Sequence, residues 1–272
     1  DVRVLDRQIL QDKSLDYRVL NLASNTFNEN ETSYYHKSIG GYHAAKLRRY
    51  QELIDAYISP EMQKTMSAIA KAGGDMTKVN GDSIFPVLNM LNAKYFIVPL
   101  QGEQTVPIRN PYVYGNAWFV DKIAYVGNAN AELDKLGTLD LRHEAVADAR
   151  FRSQLGEAKV QDSTSIVRLT AYEPNQLTYD VRSATGGIVV FSEIFYPEWT
   201  ATVDGKAVEL GRVNYVLRAL NVDKGHHTVV LTFDPKSVKQ TETVAYLSYG
   251  VLLLVVLLGV YFKRKEDKKS QA

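Results

Sequence analysis

The chain has 272 residues, of which 45% are hydrophobic and 23% charged, and its formal net charge at pH 7 is +1. That length is enough for one large or two modest domains, and the near-neutral charge gives no field that would favour a nucleic acid partner. The absence of cysteine excludes disulfides, thiolate metal sites and thiol catalysis.

Helical and extended patterns alternate over residues 1–160, and this predicts a mixed α+β domain. The chain starts at Asp1 with an extended pattern and no signal-peptide features, so we expect a removed leader or, better supported, a piece of a longer protein. The alternation of Tyr17–Leu22 predicts a strand. Apolar residues at three- and four-residue spacing predict an amphipathic helix over His43–Ile58, and Pro60 could open a second helix over 61–72.

Shorter elements are predicted in the middle of the chain. A short helix followed by a strand is expected at residues 86–99. Two strands are predicted over Ala117–Asp121 and Lys122–Val126. Two helical segments are predicted over Asn130–Leu136 and Asp140–Ala147.

Close-spaced strands take over from Ser165 onward. Two turn signals, Asp204-Gly205 and Asp223–Gly225, separate alternating runs that continue to Phe233. This pattern predicts an antiparallel β-sandwich over residues 161–236, followed by a juxtamembrane linker at 237–243. The predicted fold class is therefore α+β, with a mixed α/β domain, a β-sandwich and one C-terminal transmembrane helix.

The stretch Val244–Phe262 contains no charged residue. At a rise of 1.5 Å per residue it spans about 28 Å, which matches the hydrocarbon core of a bilayer. The basic tail at residues 263–272 predicts, by the positive-inside rule, that the tail is cytoplasmic and residues 1–243 are extracytoplasmic. The alternative, a buried core helix, is disfavoured because nothing else in the chain would finish burying it.

The strong catalytic motifs are absent from the sequence. It has no phosphate-binding loop, no dinucleotide fingerprint, no zinc-protease helix and no nucleophile elbow. No cofactor is therefore expected, and a self-contained hydrolase is a minor alternative.

The segment Thr32–Tyr50 combines tyrosines, histidines and basic residues around a pair of glycines. Glycines before a helix would expose backbone N–H groups at its N-terminus, a geometry that suits a phosphate or carboxylate. We therefore predict a site for an anionic or glycan ligand here, with these candidate contacts: His36, Lys37, Gly40, Gly41, Tyr42, His43 and Lys46. The alternative is a loop that docks on the rest of the protein with its tyrosines as packing. No metal site is expected, because the glycine pair separates His36 from His43.

Trp199 lies beside Tyr196 and Pro197 in a second unusual run, Phe191–Lys206, which is followed by the strand-like run Arg212–Leu220. An aromatic cluster of this kind can form a carbohydrate platform. The alternative is a tryptophan that packs in the core of the sandwich.

These runs resemble the C-terminal part of the YfhO family of bacterial multi-pass membrane proteins, especially members from the Bacteroides group. The resemblance is carried most specifically by the sequences at 34–43, 46–51, 191–199 and 203–205, and by the runs at 88–98 and 116–120. It extends over nearly the whole chain.

The resemblance implies a GT-C-type glycosyltransferase that takes its sugar from a polyprenyl-phosphate donor at an outward-facing site in the bacterial cytoplasmic membrane. In such enzymes the catalytic acid lies on an early loop between the first membrane helices, so it has no counterpart in this chain. We therefore expect an accessory portion that works with upstream membrane helices of the same protein and helps to hold the donor's phosphate-sugar head or a glycan acceptor. The alternative is a non-catalytic envelope protein, anchored in the membrane, that binds a glycan or a protein partner.

Overall fold

A computed structural model describes residues 2–100 and 104–270. Within these ranges the α-helices are α1 (Val4–Ile9), α2 (Glu31–Tyr35), α3 (Arg48–Leu53), α4 (Ser59–Lys71), α5 (Gly81–Ile84), α6 (Pro86–Met90), α7 (Ala129–Leu136), α8 (Arg152–Leu155) and α9 (Lys236–Ser270). Short helical turns of other types are Ile54–Ile58, Met76–Lys78 and Ala149–Phe151.

The strands alternate with these helices in the first half of the chain and follow one another closely in the second. They are β1 (Arg18–Asn21), β2 (Ala93–Pro99), β3 (Thr105–Arg109), β4 (Ala117–Val120), β5 (Lys122–Val126), β6 (Glu144–Asp148), β7 (Ile166–Glu173), β8 (Gln176–Ser183), β9 (Gly187–Ile194), β10 (Trp199–Val203), β11 (Lys206–Val208), β12 (Gly211–Val213), β13 (Leu217–Val222) and β14 (Gly225–Phe233).

Three local predictions in the first half of the chain are wrong. The extended start is instead the helix α1, which buries Leu5 and Ile9 against Val19 and Ile97. The helix predicted from His43 begins only at Arg48, because no large apolar residue lies between His43 and Leu47 to extend the buried face. The segment predicted as helical at 140–147 ends in the strand β6, which pairs in parallel with β5.

The prediction of a β-sandwich is confirmed. A five-stranded sheet in the order β11-β10-β14-β8-β7 faces a four-stranded sheet in the order β12-β13-β9-β4. Leu177, Tyr179 and Val181 of β8 point inward at every second position, as a half-buried strand requires. They pack against Val189 and Phe191 of β9, so the two sheets enclose one apolar core.

Strand β9 is buried along both faces, because it separates two cores. Val189 and Phe191 belong to the sandwich core, whereas Ile188 and Val190 belong to a larger core built from the helices and the first strands. The four-stranded sheet is therefore a layer between these two cores. Strand β4, which precedes residue 160, is part of it, and the division of the chain at residue 160 stays a prediction.

The described residues up to Thr232 form one compact unit, and those from Phe233 onward form a second. The second unit contains α9, in which the stretch Lys236–Arg264 is long and apolar enough to cross a membrane, with a mean hydropathy of 2.3 over its most apolar window. The side chains from 244 to 262 are exposed in the protein itself, which agrees with a helix whose apolar surface requires a lipid environment.

Candidate functional site

The two unusual segments of the sequence meet at one cavity of about 600 Å³, which we call the basic pocket. It lies where the loop before α3 faces the end of β9 and the start of β13. Its wall contains four of the predicted site residues, Gly40, Gly41, His43 and Lys46. The other side chains that matter here come from β1, α3, β9, β13 and the loop after β9, and they are Arg18, Tyr50, Glu193, Arg218 and Tyr196.

The glycine pair is required by the path of the backbone. A Cβ at Gly40 would lie 2.0 Å from the carbonyl oxygen of Thr26, and Gly41 has a φ of +97°, which side chains disfavour. The N–H of Gly40 donates to Ser38 Oγ at 3.0 Å and that of Gly41 donates to the Thr26 carbonyl at 2.7 Å. The expectation that these amides are free to hold an anion at a helix N-terminus is therefore wrong, and any anion in the pocket must be held by side chains.

Arg18 fixes one wall of the basic pocket. Its Nη1 donates to the carbonyl oxygens of Leu91, at 2.9 Å, and of Ser192, while its Nη2 lies 3.4 Å from Glu193 Oε2. Burial lowers the pKa of this guanidinium, but the nearby carboxylates of Glu193 and Asp16 outweigh that effect and raise it. Arg18 is thus a permanent buried cation whose hydrogen bonds tie β1 to the end of β9.

Arg218 is the less satisfied of the two buried arginines. Its Nε donates to the Ile194 carbonyl at 2.9 Å, and its guanidinium lies 3.8 Å from the centre of the Trp199 ring. Its Nη1 is buried and has no hydrogen-bond partner among the described residues. Burial lowers the pKa of Arg218 to about 10, against the opposing effect of Glu193, so the group is still cationic at neutral pH.

The charges in the wall leave the basic pocket positive. Three cations, Arg18, Lys46 and Arg218, face one carboxylate, Glu193, which gives a net charge of +2 when His43 is neutral. Lys46 has no carboxylate partner in the part of the chain that the structure describes; its Nζ lies 5.3 Å from the centre of the Phe27 ring. A buried donor without a partner, in a wall of net positive charge, favours an anionic ligand.

An adjoining cavity of about 290 Å³ shares Leu47, Tyr50 and Ile194 with the basic pocket. Phe195, Pro197 and Val216 make much of its wall apolar. Burial raises the pKa of Tyr50 to about 12, and its hydroxyl donates to the Ile39 carbonyl at 2.7 Å, so this shared side chain is a neutral, fixed wall. A compartment with a largely apolar surface, which Arg48, Arg49 and Arg212 also line, therefore lies directly beside the basic pocket.

Four of the predicted site residues do not line the basic pocket. His36 is buried, with its side chain only 1% exposed, and its Nε2 donates to Asp6 at 2.9 Å. Lys37 pairs with Asp16 at 2.6 Å and contacts Tyr172. Tyr42 is exposed to solvent.

Trp199 packs partly against the sandwich core and carries the guanidinium of Arg218 on one ring face. Its role as a carbohydrate platform stays a prediction.

Three residues of the basic pocket are not predicted from the sequence, namely Arg18, Glu193 and Arg218. A weak signal was present, since both arginines interrupt apolar strand runs, Tyr-Arg-Val-Leu at 17–20 and Val-Leu-Arg-Ala-Leu at 216–220. Alternation predicts only that such a side chain faces away from the core on its own sheet face. It cannot reveal that another layer of the protein covers that face.

Comparison with known proteins gives one match. Residues 147–245 match the model of the family described as bacterial membrane protein YfhO, which confirms the resemblance over 99 of the 272 residues. The matched stretch includes Glu193, Tyr196 and Arg218 of the basic pocket and the first part of α9. No curated protein and no solved structure matches the chain.

Proposed function

We propose, from the family match of residues 147–245, that this chain is the extracytoplasmic, substrate-handling portion of a multi-pass membrane glycosyltransferase. The enzyme would transfer sugar from a polyprenyl-phosphate donor to a cell-envelope glycan or polymer. In this proposal residues 1–243 lie outside the bacterial cytoplasmic membrane and the tail 263–272 lies in the cytoplasm. Upstream membrane helices of the same protein supply the catalytic acid.

The observation that carries the proposal is the unpartnered Nη1 of Arg218 in the wall of the basic pocket. A guanidinium N–H that is buried without an acceptor costs free energy, and a phosphate oxygen would offset that cost with a charge-assisted hydrogen bond. The Trp199 ring lies against one face of the Arg218 guanidinium, and this contact fixes the orientation of the group that carries the unpartnered Nη1.

The surroundings of Arg218 suit a phosphate that carries both a sugar and an apolar chain. Lys46 adds a second cation, and Tyr196 lies at the same wall and offers a ring for contact with a sugar. The adjoining cavity beyond Leu47 and Ile194 is largely apolar and could receive the first carbons of the lipid. The chain's part in the reaction would be to bind and orient the donor's head group.

Charge reversal at Lys46 tests this proposal with little risk to the fold, because Lys46 is half-exposed and forms no salt bridge among the described residues. In the full-length protein, Lys46→Glu should lower sugar transfer from a polyprenyl-phosphate donor by about tenfold, the loss expected for one charged contact. Arg218→Gln should lower it at least as much. Transfer is measured in membranes matched for protein content.

Lys206→Glu is the matched control, since Lys206 is an exposed lysine on β11 outside the basic pocket. It should leave transfer unchanged. Normal transfer in both Lys46→Glu and Arg218→Gln would contradict the proposal. Glycan binding by the full chain that depends on Trp199, with no transferase activity in the parent protein, would instead support a non-catalytic glycan-binding envelope protein.

A further inference from the structure

A second cavity, of about 450 Å³, lies between the edge strand of each sandwich sheet. Its wall comes from β4, the first residues of β7 and the loops that precede β6 and β7, and we call it the acidic cleft. It contains Trp118, Asp121, Arg142, His143, Asp162 and Ser165. No motif in the sequence marks these residues, which lie up to 47 positions apart.

His143 is held in one orientation at the mouth of the acidic cleft. Its Nδ1 donates to Asp121 Oδ2 at 2.8 Å, and the other carboxylate oxygen of Asp121 accepts from the backbone N–H of Gln161 at 2.8 Å. With Nδ1 carrying the proton, Nε2 of the neutral ring is a hydrogen-bond acceptor, and it has no partner among the described residues. The arrangement therefore presents one fixed acceptor to the cleft.

Trp118, which also lines the acidic cleft, carries an unsatisfied donor. Trp118 is nine-tenths buried, and its indole N–H is one of the buried side-chain groups that have no hydrogen-bond partner in the described structure. Tyr114 packs edge-on against the indole, with 5.2 Å between the ring centres, and this contact fixes the ring in place.

The charge of the acidic cleft disfavours an anionic ligand. Asp121 and Asp162 face one cation, Arg142, so the net charge is −1 when His143 is neutral. Arg142 is directed elsewhere, because its Nη2 donates to the Tyr112 carbonyl at 2.9 Å and to Asp82 at 3.3 Å. Asp162 accepts from the backbone and hydroxyl of Thr164, at 2.9 and 2.6 Å, so one of its oxygens is already used.

We infer that the acidic cleft is a binding site for a neutral saccharide. Sugar hydroxyls both donate and accept, so the hydroxyl groups of one bound sugar would donate to Nε2 of His143 and accept from the indole N–H of Trp118. The hydroxyl of Ser165, which donates to Gln161 Oε1 at 2.9 Å, still has lone pairs available for a sugar O–H. This inference does not depend on the proposed role of the basic pocket.

The two tryptophans of the chain make a direct test possible, because Trp118 lines the acidic cleft and Trp199 contacts Arg218 of the basic pocket. In the ¹⁵N-labelled full chain in detergent micelles, the two indole N–H signals are assigned with Trp118→Phe and Trp199→Phe. Neutral methyl glycosides of glucose, galactose, mannose and N-acetylglucosamine are titrated in turn, and inorganic phosphate is titrated separately. At least one glycoside should shift the Trp118 signal saturably, and phosphate should shift only the Trp199 signal.

His143→Ala should weaken the glycoside-induced shift of Trp118 by about tenfold, the effect of losing one hydrogen bond to a buried-site ligand. His226→Ala is the matched control, since His226 is also an exposed histidine paired with an aspartate, Asp180, but lies on β14. It should leave the titration unchanged.

The inference is overturned if no glycoside moves the Trp118 signal, if His143→Ala binds as the unaltered chain does, or if phosphate moves Trp118 as the glycosides do. If glycosides shifted the Trp118 signal but phosphate did not shift the Trp199 signal, the result would contradict only the anion site proposed for the basic pocket.

Discussion

The basic pocket and the acidic cleft differ in how their charged groups are satisfied. In the basic pocket, Arg18 is bound to two carbonyls and a carboxylate, while Arg218 keeps a buried Nη1 without a partner. In the acidic cleft, the carboxylate of Asp121 has donors on both oxygens, and Nε2 of His143 and the indole N–H of Trp118 have no partner among the described residues. The comparison teaches that the type of ligand follows from the groups left open rather than from the net charge alone.

The largest expected difference between the two cavities is in the free energy of unfolding that is lost when the arginine of each cavity is replaced. Arg18→Met leaves Glu193 and two carbonyl oxygens without their donor in a buried place, so the free energy of unfolding should fall by about 3–5 kcal/mol. Arg142→Met removes a cation whose carboxylate partner, Asp82, is half-exposed, and should cost only about 1–2 kcal/mol. Urea unfolding of the full chain in micelles, followed by tryptophan fluorescence, measures both. Equal losses would show that Arg18 has no special anchoring role.

Features that depend on neighbouring residues can be predicted from the sequence, whereas features that depend on distant residues cannot. The sandwich strands were predictable because each one carries its own alternation, and the apolar C-terminal stretch was predictable from hydropathy. Gly40, Gly41, His43 and Lys46 lie close together in the sequence, and the structure brings them to a common cavity, whereas their contact with a ligand stays a prediction.

What the sequence could not provide are the pairings over long separations. Arg18 and Ser192 are 174 positions apart, and nothing in either strand indicates that they meet. His36 was selected for its chemistry, but its burial depends on the unanticipated helix α1, which brings Asp6 to it. The acidic cleft was missed for the same reason, because Asp121 and His143 come together through the pairing of β5 with β6, and β6 lies in the segment predicted as helical.

Salt should weaken ligand binding at the basic pocket but not at the acidic cleft, and this effect should be smaller than the difference in stability. Raising the ionic strength from about 0.01 M to about 0.15 M shortens the Debye length from about 30 Å to about 8 Å. Binding of inorganic phosphate, read from the Trp199 indole signal, should weaken several-fold, since the pocket carries a net charge of +2. Binding of a neutral glycoside, read from Trp118, should not change. A salt-dependent glycoside shift would mean that charge, rather than hydroxyl contacts, governs the acidic cleft.

The smallest expected effect is the dependence of stability on pH at a His–Asp pair outside both cavities. The hydrogen bond to Asp204, at 2.7 Å, raises the pKa of His227 above its usual value, despite a smaller opposing effect of burial. The protonated pair therefore stabilises the folded chain fully at pH values below the unfolded pKa of about 6.5, and this contribution is lost as the pH rises through the raised pKa. His227→Gln should lower the melting temperature slightly at pH 5.5 and leave it unchanged at pH 8.5. Because Asp204 is half-exposed, solvent screening keeps the difference small. If His227→Gln instead lowered the melting temperature equally at both pH values, His227 would stabilise the fold through packing rather than through its charged pair with Asp204.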